Sequence, residues 1–300
     1  MKYRKTLLTY IDYLGFKELV CSKENPEKIY QKLSDFIQPL QGFLFSDPYY
    51  DKFKLDNIEK RKKAGIKEIN SLLDITGMPL SLRNKDNSGD FSTEFYFFSD
   101  TVIRVNDIEP YADKEIGLFL QLEIDFLLHA LLTLLEKRFL TRGIITMGNN
   151  FQSKKVYFGP TLIRAYELES KKVIYPRICL DRKISDDIFY NDNMIYDKIN
   201  LSKMLTQDFD GMFFIDYLKF ICLEWLDLVD NYSDDHADDL LTEVFAKSKL
   251  SIENELKNIK EIYETKIFWL KNYHNRTLIR FSKDIKEKSH ININDYLIEN

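Results

Sequence analysis

The chain has 300 residues, of which 44% are hydrophobic and 30% charged, with 10 glycines and 7 prolines. Those proportions suit one large or two modest globular domains and exclude a low-complexity, disordered or fibrous chain. The 48 acidic and 43 basic side chains leave a formal charge of -5, which argues against broad backbone-driven binding to nucleic acid.

The opening MKYRKTLLTYIDYLGF carries Asp12 inside its apolar run and lacks a small-residue cleavage site. It therefore reads as a first strand over 5–13, ending at Gly15, and not as an export signal. From Asn25 to Phe43 an Asn-Pro start is followed by Ile29, Leu33, Phe36, Ile37 and Leu40 about one turn apart, which predicts a helix. Residues 45–92, with SDPYYDK, KRKKAG and NKDNSGD, read as an inserted excursion. Over 91–107 two β-rich runs flank Ser99-Asp100 and predict a hairpin.

Residues 113–138 have the length of a long helix. Its apolar stretch Leu118 to Leu135 is interrupted by Glu123, Asp125 and His129, which points to a buried or interface helix and not a membrane span. FLTRGIITMGNNF, 139–151, reads as a strand entered through Gly143 and left through Gly148. A short strand KKVYF reaches Gly159-Pro160, then LIRAYELES forms a helix before a strand around KVIYPRICL. Over 182–212 the pattern is polar and short-period, FFIDYLKFICLEWLDLV reads as a strand-to-helix or helical core segment, and Ser251 to Tyr273 reads as one long amphipathic helix. Strands interleaved with helices predict an α/β or α+β fold with helices against a sheet. Cys21, Cys179 and Cys222 are scattered, without metal or disulfide spacing, and suit a reducing cytoplasm.

Asp12 and Asp100 each close an apolar strand, in YIDYLGF and FYFFSDT. Neighbouring strands would set their carboxylates side by side, where hard oxygen donors hold Mg²⁺ or Mn²⁺ against phosphates. The plainer reading is a pair of solvated strand-end acids. Gly15 would let backbone amides near Phe16 approach a phosphate, and Arg142, Arg164 or Arg177 would grip phosphate oxygens in fork geometry or serve as salt bridges. The chain contains no HExxH, GxxxxGK[ST], strand-borne GxGxxG or GxSxG motif, so zinc hydrolase, P-loop, Rossmann and serine-hydrolase readings fall away. Asp216, in FFIDYLKF, is a structural or second polar site, and Trp269, Leu270 and Tyr273 read as packing or dimer residues.

Taken in order, YIDYLGF, FYFFSD, RGIITMGNNF and VYFGPTLIRAYELES resemble the catalytic homology domain of class III nucleotidyl cyclases, over about residues 5 to 180. The resemblance implies a ferredoxin-like core sheet with packed helices in a cyclase-like domain, 1–182, and a mainly helical extension, 183–300. It implies Asp12 and Asp100 as ligands of Mg or Mn, with Arg142 or Arg164 near the phosphates and the backbone of Tyr13, Leu14, Gly15 and Phe16 beside them. The implied partner is a nucleoside triphosphate, bound in a cytoplasmic homodimer without membrane or nucleic acid, and the implied product a 3′,5′-cyclic nucleotide.

Two departures stand out. Where the family pattern places an asparagine and an arginine one turn apart, this chain has Ile163 and Glu167, and the purine-selecting acid before the glycine is Val156. Glu167 would repel a triphosphate unless turned away. These changes resemble the divergent bacterial pyrimidine cyclases of phage defence, which make cyclic UMP or cyclic CMP. The alternative is a cyclase-like sensor or scaffold that binds nucleotide without turnover.

Overall fold

The computed structural model describes residues 2–21, 25–41, 93–110, 113–152, 156–191, 197–232, 237–257 and 263–299, so the excursion expected at 45–92 lies outside the described residues. The fold is a mixed α/β arrangement in which helices pack on a central sheet. Strand β1 (Arg4–Tyr13) runs through the middle of it, bonded antiparallel to β3 (Thr101–Asp107) on one side and β4 (Thr141–Gln152) on the other. Its run of Leu, Thr, Tyr and Ile favours a pleated, half-buried backbone. Strand β2 (Thr93–Phe98) forms the expected hairpin with β3, and the turn is closed by Ser99 at φ 61. Beyond β4 the sheet continues through β6 (Ile178–Leu180), β8 (Phe213–Ile215) and β7 (Leu205–Gln207), while β5 (Tyr157–Phe158) pairs separately with β4. The β4–β6 pair is parallel.

The period-two alternation of β1 assigns its two faces. Leu7, Thr9 and Ile11 point toward α3 (Asp113–Glu136), on which Glu123 accepts from the Thr9 hydroxyl at 2.7 Å. Leu8, Tyr10 and Asp12 point toward α4 (Pro160–Lys172), where Tyr10 and Tyr166 meet edge to face at 6.4 Å. Helix α3 is long and apolar enough over Ile116–Glu136 to cross a bilayer, but 67% of that window is buried inside the protein, and it serves as the core helix.

Near the start of the chain, α1 (Phe16–Val20) and α2 (Pro26–Ile37) follow β1, and the Asn25 side chain caps α2 as its Asn-Pro start predicts. The predicted helix stops earlier than Phe43, continuing only as a 3₁₀ turn over Gln38–Leu40. The polar stretch after Asp181 holds α5 (Arg182–Phe189) and α6 (Lys198–Met204), and FFIDYLKF is a strand-to-helix segment, β8 leading into α7 (Tyr217–Tyr232).

The helix expected from Ser251 to Tyr273 belongs to two helices, α8 (Ala237–Lys257) and α9 (Glu264–Lys288), with 258–262 outside the described residues. The two pack against each other and are joined by Ser248 and the buried His274, whose Nδ1 lies 2.9 Å from the hydroxyl. Periodicity alone runs on from one helix into the next, because both bury apolar stripes of the same pitch. Trp269 and Tyr273 stack at 5.3 Å, Tyr273 donates to Asp216 at 2.7 Å, and Trp269 donates to Asp208 at 2.7 Å. These residues and Asp216 thus form internal packing between α9 and the sheet.

Candidate functional site

Asp12 is the penultimate residue of β1 and Asp100 sits in the β2–β3 turn, one position before the register partner of Asp12. The Tyr13 amide donates to the Asp100 carbonyl at 3.1 Å, which fixes the turn against the end of β1. The two carboxyls meet in hydrogen-bond contact, and burial together with the charge of Asp100 holds Asp12 above the usual carboxylate range. The hairpin was legible in the sequence and brings together the two acids separated by 88 positions (100 − 12).

Arg142 lies directly across from Asp12 on β4, and its Nε donates to Asp12 Oδ2 at 3.1 Å. The same Nε is 2.5 Å from Glu169 Oε1, an ion pair without hydrogen-bond geometry. Glu169 comes from the inner face of α4, where Thr161, Ala165 and Glu169 recur one turn apart and are buried. Burial pushes its carboxyl up to about 7, against the pull of Arg142 and with the help of Asp12 and Asp100. Gly143 permits this approach, since a Cβ there would stand 2.4 Å from the Tyr10 carbonyl oxygen. Any larger residue would push β1 and β4 apart beside Asp12.

A fifth part of the chain reaches the same place. Lys266, in the first turn of α9, is half-buried, and desolvation and Arg142 lower its pKa while Asp12, Glu169 and Glu18 raise it. Tyr263, just before α9, hydrogen-bonds Glu18 of α1. Glu18, Tyr263 and Lys266 line a cavity of about 230 Å³ together with Tyr13, Gly15, Arg138 and Glu255. Sequence reasoning missed Glu169 and Lys266; a helical projection from Pro160 would have placed Glu169 with Thr161 and Ala165, whereas no local signal ties position 266 to position 12.

The other candidates sit elsewhere or are committed. Arg164 does not join Asp12 and Asp100; it binds Asp181 in a two-pronged pair, with Nη2 to Oδ1 at 2.6 Å, and lines a separate cleft. Arg177 is buried between Asp208 and Asp210 and under Trp269. The Tyr13 and Leu14 amides donate to the carbonyls of Asp100 and Leu140, so a phosphate would have to compete for them. Gly15, at φ 99, adopts the left-handed backbone that opens α1. Glu167 is turned away from Asp12, exposed and 3.4 Å from Lys171, and Ile163 is likewise exposed.

Among the described residues no group of three or more His, Cys, Asp or Glu side chains is gathered to hold a metal ion. Asp12 and Asp100 nevertheless fit a magnesium-type ion, which is held by one or two carboxylates together with substrate phosphates. Their forced contact and the suppressed acidity of Asp12 are what a cation would relieve. When bound, such an ion supplies charge neutralisation at phosphate oxygens.

No family model matches the chain, and no curated protein matches it. Among solved structures the chain is similar to the crystal structure of the guanylyl cyclase Cya2, at 11% identity and a TM-score of 0.36, over 72% of this chain and 94% of that one. The likeness is distant and partial, and concerns the arrangement of a central sheet with packed helices.

Proposed function

We propose that this chain is a metal-dependent nucleotidyl cyclase, acting on a nucleoside triphosphate with UTP or CTP as the candidate substrates. The observation that carries the reading is the contact of the Asp12 and Asp100 carboxyls at adjoining strand ends. The ordered motifs from YIDYLGF to GPTLIRAYELES support it, and so does the outward position of Glu167, which removes the repulsion that its place in the sequence suggested. In this reading the ribose 3′-hydroxyl attacks the α-phosphorus, the bond to the β-phosphate breaks, and pyrophosphate leaves as the hydroxyl proton passes to solvent. Asp12 and Asp100 hold Mg²⁺ or Mn²⁺, and Arg142 offsets the charge of Asp12 and Glu169 beside them. Arg164, paired with Asp181, has no part in it.

Exposed Phe98, Ile163 and Tyr166 offer apolar surface near the site for a second protomer, in keeping with the cytoplasmic homodimer and the role in phage defence that the motif resemblance implies. The test is incubation with ATP, GTP, CTP and UTP in Mn²⁺ or Mg²⁺, with products separated by mass and retention time. A cyclic nucleotide made by the wild type and lost in both Asp12→Ala and Asp100→Ala is the expected result. The second reading, a nucleotide-binding sensor without turnover, draws on the Arg142 pairing that already occupies Asp12 Oδ2. Nucleotide binding with no cyclic product under any condition would select it.

A further inference from the structure

We propose that the cavity between Gly15, Arg138 and Lys266 receives the polyphosphate tail of the substrate, so that the C-terminal helices supply part of the nucleotide site. This rests on the cyclase reading above. A nucleoside triphosphate entering beside Asp12, Asp100 and Glu169 brings several more negative charges to a place already rich in them. Cations must answer that charge, and most of those nearby are committed. Arg142 is engaged by Asp12 and Glu169, Arg164 by Asp181, and Arg177 by Asp208 and Asp210.

Lys266 is different. Among the described residues it has no hydrogen-bond or ion-pair partner, and its ammonium rests 5.2 Å from the centre of the Tyr263 ring. It is half-buried on the wall of the cavity, which Glu18 and Glu255 also line, and the charges of Asp12, Glu169 and Glu18 act on it without an ion-pair contact. Its position in the first turn of α9 also opposes the helix dipole, which favours anions there. Helix stability therefore does not account for a lysine at this position.

Arg138 lines the same cavity, where its charge acts on the carboxyl of Glu255. It closes α3 with φ 63, and its amide donates to the Leu135 carbonyl at 3.0 Å. That left-handed position after a helix favours glycine, and a residue with a Cβ there carries a backbone cost. An arginine at such a place, lining a cavity with a lysine that makes no ion-pair contact, fits recognition of phosphate oxygens. Tyr263, held to Glu18 by a hydrogen bond, ties the start of α9 to α1 beside the cavity.

The experiment is calorimetric titration of the full chain with inorganic tripolyphosphate, with each nucleoside triphosphate and with the matching nucleosides. Lys266→Ala is expected to weaken tripolyphosphate and triphosphate binding about tenfold or more while leaving nucleoside affinity unchanged, with Lys266→Arg restoring most of it. Arg138→Gly is the folding control. It relieves the backbone cost, so its thermal midpoint should hold or rise while triphosphate affinity falls. Triphosphate binding by the wild type that both Lys266→Ala and Arg138→Gly leave unchanged would overturn the cavity assignment and leave the cyclase reading standing. A folded wild type that binds no triphosphate would overturn both.

Discussion

Strand β1 has a charged cluster against each of its faces, and the two are built on opposite principles. On the α3 face, Arg104 and Glu123 are completely buried, and Glu123 accepts from Thr9, from two Arg104 nitrogens and from Asn106. Burial alone would raise its pKa, but Arg104 and these hydrogen bonds outweigh it and hold the carboxylate ionised below the usual range. Arg104 in turn donates to the Leu40 carbonyl and lies 3.8 Å from the centre of the Phe126 ring. On the α4 face, Asp12 and Glu169 share the Arg142 guanidinium with Asp100 beside them, and both Asp12 and Glu169 are pushed upward in pKa. A balanced cluster fixes a fold; one with surplus negative charge is completed by something from outside.

The largest expected effect breaks the balanced side. Glu123→Ala strands a buried guanidinium and should cost about 3–5 kcal/mol in denaturant unfolding; a loss under about 1 kcal/mol would mean that water reaches Arg104. Gly143→Ala, which forces a methyl against the Tyr10 carbonyl, should cost about 2 kcal/mol or more and lower activity together with stability.

Next comes a change of pH dependence on the acidic side. Glu169 is protonated in the folded protein up to about 7 and ionised in the unfolded chain above 4.5. The folded state therefore binds the extra proton between those values, and its contribution is full at the acid end and lost as pH rises toward 7. Glu169→Gln should flatten that slope and raise stability at pH 8 by about 1–2 kcal/mol, read from thermal midpoints across the range. The smallest change in stability is expected for Asp12→Asn, within about 1 kcal/mol of wild type, although cyclic nucleotide formation should disappear. A large stability loss there would assign Asp12 to the same structural class as Glu123.

What the sequence made legible follows from how local each signal was. The β1 strand, the hairpin at Ser99-Asp100 and the helix after Gly159-Pro160 rest on short-range alternation and turn chemistry, and the structure has all three. Glu123 was visible as a charge interrupting an apolar helix, but its partner Arg104 lies on a strand that only the folded sheet brings near. The sequence leaves Arg164 open as a phosphate ligand or a salt bridge, and the α4 crossover sets it in contact with Asp181. The division into α8 and α9 has no local signal, because two helices with one pitch look like one. Lys266 had no signal at all, since nothing within a window of a few turns connects it with Gly15.

The alternation in β1 also determines where this protein can tolerate a change of length. Thr9 faces α3 and Asp12 faces α4 because an odd number of steps separates them. Inserting or deleting one residue between them would send the carboxylate toward the apolar helix or the threonine toward the acids. Substitutions at Tyr10 or Ile11 can be absorbed by repacking, whereas an altered count there cannot. A screen of single-residue insertions should therefore find Thr9 to Asp12 among the least permissive stretches of the chain.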